Sequence, residues 1–111
     1  MPMSSSDATT AKAAIDTLNS KIKSLGSISS SSSKTFATST NGKYLVCTIG
    51  GGNAQGMWIV NCQSTGTINI DIIYAGSTIS ASSDTANELK ITNGGSTSAF
   101  VYAIAFNGSI E

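Results

Sequence analysis

The carboxylates of this chain are the first residues that could do chemistry, because a pair of them can hydrolyse a glycosidic bond. Asp71 lies on the polar side of an alternating segment, while Asp84 and Glu88 flank a predicted loop. Nothing in their spacing, or in that of the terminal Glu111, brings two of them together. No run of carboxylates has the spacing of a calcium-binding loop either. We therefore interpret all four as solvated surface groups.

Nucleophilic and metal-based reactions also lack visible machinery. The chain contains no His, so it has neither an imidazole base nor the commonest metal ligand. Its many Ser have no evident activator, since the Lys residues all lie in polar, solvent-like contexts. These observations predict that the protein is not an enzyme and uses no metal or other cofactor.

Two cysteines, Cys47 and Cys62, flank a Gly-rich segment at residues 50–56. If the hairpin around this segment is symmetric, the two residues lie opposite each other across the strand pair. They would then form a cross-strand disulfide or pack as small buried apolar groups. We favour the reduced and buried form, because a product of the cytosol assembles with reduced thiols.

A candidate ligand-binding patch lies on and just after the Gly-rich segment. An exposed Trp can stack on the face of a sugar, while Asn and Gln side chains supply amide hydrogen bonds. The alternative is that the single Trp fills the core or a subunit interface. The segment itself lacks the Lys and the following helix of a phosphate-binding loop, so we interpret it as a wide hairpin loop. The patch comprises Asn53, Gln55, Trp58 and Asn61.

The element that precedes these residues is a predicted helix with a narrow apolar seam. Ser6 or Asp7 can cap its start, and Gly26 follows its predicted end. Apolar residues recur at alternating spacings of three and four, which is the a/d pattern of a coiled coil. We expect another copy of the chain to cover this seam, and the alternative is packing on the following domain. The seam comprises Ala8, Ala11, Ile15, Leu18, Ile22 and Leu25.

The hydrophobic period changes to two after a Ser-rich linker at residues 27–33, which separates a stalk at 1–26 from a β module at 34–111. Turn signals there separate short strands at intervals of about 8–12 residues, as in all-β domains. The expected fold class is mainly β: a coiled-coil helix followed by a compact antiparallel β-sandwich or barrel, assembled as a homo-oligomer. The predicted strands cover residues 35–40, 43–49, 57–62, 67–74, 78–81, 88–92 and 99–106.

The composition excludes several classes of partner. The net charge is zero and no basic cluster exists, so neither nucleic-acid binding nor electrostatic membrane contact is expected. No apolar stretch approaches the roughly 20 residues of a membrane span. The N-terminus has no recognisable signal peptide. Only 11% of the residues are charged, and a neutral surface rich in Ser, Thr and Gly is typical of extracellular fibres and virion appendages.

The segment AKAAIDTLNSKI, at residues 11–22, is followed by a Ser-rich joint and a β module without catalytic residues. This layout resembles the C-terminal tip region of bacteriophage tail fibres and receptor-binding proteins. The amino-acid sequence itself is similar only in the stalk, above all in Ala14–Lys21, so no functional residue is carried over. The resemblance implies a parallel homotrimer in the virion tail, made in the bacterial cytoplasm, whose β tip attaches to a surface glycan or protein.

Three functional hypotheses fit the sequence. The first is a phage tail-fibre or receptor-binding tip, which trimerises and attaches to a bacterial receptor. The second is a capsid decoration or baseplate protein that oligomerises without binding a receptor, and the third is a bacterial adhesin or carbohydrate-binding module. A dimer also stays open, since Ile at a with Leu at d favours two-stranded coils in isolated peptides.

Overall fold

A computed structural model, which describes residues 4–111, shows one helix and eight strands in that range. Only the first three residues of the predicted stalk lie outside the described range. All seven predicted strands are confirmed, with shifts of up to three residues at their ends. The elements are α1 (Ser5–Lys21), β1 (Ile22–Ile28), β2 (Ser32–Ala37), β3 (Lys43–Gly50), β4 (Gly56–Cys62), β5 (Ile68–Ala75), β6 (Ile79–Ser82), β7 (Glu88–Asn93) and β8 (Ala99–Asn107).

The strands form two sheets, in which every pair of neighbouring strands is antiparallel. One sheet has the order β1-β8-β3-β4-β5, and the other has the order β2-β7-β6. A single core cluster draws buried side chains from both sheets, including Phe36 and Leu89 from the smaller one and Val46 and Trp58 from the larger. The mainly β, antiparallel class is therefore confirmed, and within residues 4–111 no sheet closes into a barrel.

The helix is shorter than the seam predicts. The Ser4 hydroxyl accepts a hydrogen bond from the Asp7 amide at 3.1 Å, so the cap is Ser4 rather than Ser6 or Asp7. The helix ends at Lys21, and the chain continues directly into β1. The prediction that a helical seam extends through Leu25 is therefore wrong.

Pairing with β8 explains this change of structure. Ile22 lies opposite Ile104 in the ladder, and Gly26 adopts a φ of +87° at an irregularity between Ser24 and Ser27. Leu25 is 8% exposed and belongs to the core of the β module. The inter-strand hydrogen bonds and the burial of this side chain outweigh a helical preference that is weak on its own.

The Ser-rich segment at residues 27–33 is also more ordered than predicted. Its first two residues end β1, and Ser32 and Ser33 begin β2, which pairs with β7. The predicted flexible or extended linker therefore overlaps β1 and β2 at its two ends, which take part in sheet ladders. The wider division of the chain into a stalk and a β module stays a prediction.

Two apolar surfaces are left uncovered within the described range. No residue of α1 is buried, and even its apolar residues Ile15 and Leu18 are 56% and 59% exposed. The side of the five-stranded sheet that faces away from the smaller sheet is also apolar, and we call it the outer face. It comprises Ile22, Leu45, Cys47, Ile49, Met57, Ile59, Tyr74, Phe100, Tyr102 and Ile104.

The reassignment of Leu25 can be tested by stability measurements. We expect Leu25→Ala to lower the free energy of unfolding by about 2–4 kcal/mol, because it leaves a cavity in the core. Lys23→Ala is the control on the same strand, and its exposed side chain predicts a change within about 0.5 kcal/mol. Urea unfolding followed by Trp58 fluorescence measures both, and equal effects would contradict the assignment.

Candidate ligand-binding site

The helix joins the β module at one end, and three turns lie together at the other end. The helix enters beside Lys43, Asn61 and Asn107, where β3 begins and β4 and β8 end. At the opposite end, three turns meet at residues 51–55, 76–78 and 94–98. We call this opposite end the distal end, because it lies farthest along the strands from the helix.

The Gly-rich loop at the distal end is fastened to the turn between β5 and β6. The Gly76 amide donates to the Gln55 carbonyl at 2.8 Å, and the Thr78 amide donates to the Asn53 carbonyl at 3.4 Å. A Cβ atom at Gly76 would overlap the Asn53 carbonyl, so this approach requires glycine. The loop is therefore held in place by backbone contacts, and the Asn53 side chain remains exposed.

A buried amide side chain fastens the third turn. Asn93 is completely buried, and its Nδ2 donates to the carbonyls of Ile28 at 3.0 Å and Thr97 at 2.9 Å. Its Oδ1 accepts a hydrogen bond from the Gly95 amide at 2.9 Å. One side chain thus satisfies backbone groups from the end of β1 and from the β7–β8 loop, which fixes the two segments relative to each other.

The three turns enclose a shallow polar cleft of about 330 Å³. Its lining side chains are hydroxyls and an amide, and none of them is ionisable. Such groups can exchange hydrogen bonds with a neutral, hydroxyl-rich ligand, but they cannot act as acid, base or metal ligand at neutral pH. The Thr78 hydroxyl oxygen in its wall is buried and has no partner among the described residues. The cleft is lined by Gly51, Gly52, Asn53, Thr78, Gly95, Ser96 and Thr97.

The structure does not bring the predicted patch together. Trp58 is fully buried, so the prediction that it stacks on a sugar is wrong. The alternative, that it fills the core, is confirmed. Its ring lies so close to Gly56 that a Cβ atom there would overlap it. Asn61 lies at the end near the helix, where Lys43 Nζ donates to its Oδ1 at 2.6 Å. Only Asn53 and Gln55 lie at the distal end, and their binding role stays a prediction.

The predicted juxtaposition of the two cysteines is wrong. Cys47 lies opposite Met57 rather than Cys62, because Thr48 pairs with Gly56 and leaves seven residues, 49–55, between the paired positions. Cys62 is buried in the core, whereas Cys47 is half-buried on the outer face, and both are free thiols. Burial raises the pKa of the Cys47 thiol, so it is protonated and a weak nucleophile at neutral pH.

The acidic residues remain scattered in the structure. Asp84 forms a salt bridge with Lys90 at 3.5 Å, and Asp71 lies on the edge strand β5. Within residues 4–111, no three His, Cys, Asp or Glu side chains come close enough together to hold a metal ion. In the same range, the helix is neither long enough nor apolar enough to span a membrane.

The sequence did not single out Thr78, Ser96 or Thr97 as candidate residues. Each belongs to or adjoins a segment with an ordinary turn signal, and nothing local distinguishes those turns from the others. Their convergence depends on the order of strands in two sheets, which no short motif encodes. The repeated occurrence of hydroxyl residues beside glycine in these turns is the one signal that could have drawn attention to them.

The chain has a weak structural similarity to a protein of known structure. No family model matches the chain, and no curated protein matches it. Among solved structures, the chain is similar to the tailspike protein of Acinetobacter phage vB_ApiP_P1, with 20% identity and a TM-score of 0.40. The match covers 83% of this chain but only 21% of the tailspike chain. A similarity at this level carries no argument about function.

The role of Asn93 can be tested by substitution. We expect Asn93→Ala to lower the free energy of unfolding by about 2–4 kcal/mol, because it removes a fully buried amide and leaves the backbone groups of Ile28, Gly95 and Thr97 without their partner. Asn69→Ala is the control, since Asn69 is exposed. Chemical denaturation measures both changes, and a loss at Asn93 no larger than at Asn69 would show that the amide does not hold the distal end.

Proposed function

We propose that this protein is a structural component of a phage tail, which trimerises and attaches the virion to a bacterial surface receptor. A glycan is the expected receptor class. The observation that carries the proposal is the exposed helix α1, which bears apolar Ile15 and Leu18 and buries no residue within its own chain. Such a helix fits a stalk shared between copies, with the β modules forming the tip.

The helix has little to stabilise it alone. It has 17 residues, and isolated helices of this length are marginal in water. Its one ion pair, Lys12 with Asp16 at 2.6 Å, lies between exposed side chains, and such pairs contribute little. Association with the helices of other copies would remove Ile15 and Leu18 from water, which supports the proposed oligomer.

The distal end supports a binding role rather than a catalytic one. Its cleft offers the Asn53 amide and the hydroxyls of Ser96 and Thr97 at the end away from the helix. Uncharged side chains of this kind hydrogen-bond to sugar hydroxyls without requiring a particular pH. Each such site would bind weakly, and three copies on one stalk would multiply the affinity.

Binding to bacteria tests this proposal. The wild-type chain should have a solution mass three times its 11.2 kDa, and it should bind intact cells of a susceptible strain or a glycan on an array. Asn53→Ala and Thr97→Ala should each lower cell binding by about tenfold or more without changing the mass, since three sites are weakened together. Asn61→Ala is the matched control and should bind like the wild type.

Two outcomes would contradict the proposal. A stable monomer would remove the shared stalk on which it rests. An oligomer that labels the virion head and binds neither cells nor glycans would instead favour a capsid decoration or other structural role.

A further inference from the structure

The outer face is a continuous apolar surface rather than a set of scattered residues. Ladder pairing places its side chains in adjacent rows that cross the sheet, with one row running from Ile22 through Ile104 and Leu45 to Ile59. The next row runs from Tyr102 through Cys47 and Met57 to Tyr74. Phe100 and Ile49 form a third row. Between the rows lies a hollow of about 320 Å³ that is lined by apolar residues.

The exposed area of this face is that of an interface. Tyr74, Phe100 and Tyr102 are 61%, 53% and 38% exposed. At the roughly 200 Å² that a large aromatic residue can bury, they alone expose about 300 Å², before five exposed aliphatic residues are added. The largest apolar patch on a monomeric protein is about 300–600 Å².

The helix indicates what covers the face. Ile22 follows α1 directly, so the residue that continues the apolar seam of the helix is also the first residue of the outer face. Copies that associate through their helices therefore bring their outer faces to the same axis. Charged side chains on this side of the described sheet lie at its margins: Asp71 is opposite Ile59 on the edge strand β5, and Lys43 is at the end near the helix. The middle of the face therefore offers no charge with which to select a different protein.

We propose that the outer face is the interface between copies of this chain, and that three outer faces meet around the axis that the helices share. This inference rests on the proposed trimer and deepens it, because it places most of the buried area in the β modules rather than in the stalk. It also leaves the distal cleft open to solvent in the assembly.

Ile49→Lys tests the interface most sharply. Ile49 is 56% exposed and faces away from the core, so a Lys there is compatible with the folded chain but introduces an unpaired charge at the interface. The matched control is Ile72→Lys. Ile72 is 69% exposed and pairs with the inward-facing Trp58, so it lies on the opposite side of the sheet.

At the same protein concentration, the two variants should differ in the solution mass of their assemblies. We expect Ile49→Lys to raise the dissociation constant by about 100-fold or more, as an unpaired charge buried in an interface does, and to sediment as a folded monomer. Ile72→Lys should remain assembled. Phe100→Lys on the neighbouring strand is the second test variant, in case Ile49→Lys does not fold, and Trp58 fluorescence reports folding in all of them.

The outcomes separate the interface from the proposed function. If the wild type is assembled and both Ile49→Lys and Phe100→Lys fold and stay assembled, the inference is overturned while the helical trimer stands. If Ile72→Lys dissociates as well, the interface involves both sides of the sheet and the proposed arrangement is wrong. A monomeric wild type overturns the inference and the proposed function together, whereas loss of cell binding alone leaves the interface intact.

Discussion

The five-stranded sheet has apolar side chains on both of its sides, and the smaller sheet covers only the inner one. At about 25 cal/mol per Å², covering the roughly 300 Å² of aromatic surface on the outer face would contribute about 8 kcal/mol before the entropic cost of association is subtracted. That value is comparable with the whole stability of a small domain, which is about 5–15 kcal/mol. The proposed association between copies would answer this constraint without any change in the fold of the chain.

The same constraint gives each end of the molecule a separate role. Because α1 leads into β1 without a linker, the helix and the outer face would share one axis in the proposed assembly, and the assembly of one would favour the assembly of the other. The distal end is held by Asn93 and by the close approach of Asn53 to Gly76, so its turns are rigid without contributing to the apolar face. A rigid polar end on an apolar axis suits a part that must recognise a surface while it stays attached to a fibre.

The strands could be predicted from the sequence because alternation and turn residues are local signals. The end of the helix could not, since Leu25 fits a heptad seam as well as it fits a strand. The pairing of β1 with β8, which decides between the two, joins residues about 80 positions apart. The pairing of Cys47 with Met57 depends on where the hairpin turns. The seven residues between Thr48 and Gly56 are centred on Gly52, whereas a hairpin symmetric about both cysteines would be centred between Ala54 and Gln55. The distal cleft was missed for the same reason as β1, because its three turns meet only through the sheet order.

The most direct test of the covered outer face is the reactivity of Cys47, which lies in its middle row. In a chain carrying Cys62→Ala, Cys47 is the one remaining thiol, and its rate of alkylation at fixed pH can be followed over a range of protein concentrations. We predict slow alkylation at high concentration and a rate that rises on dilution, with far-UV circular dichroism unchanged. A rate that is fast and independent of concentration in the folded protein would contradict the account.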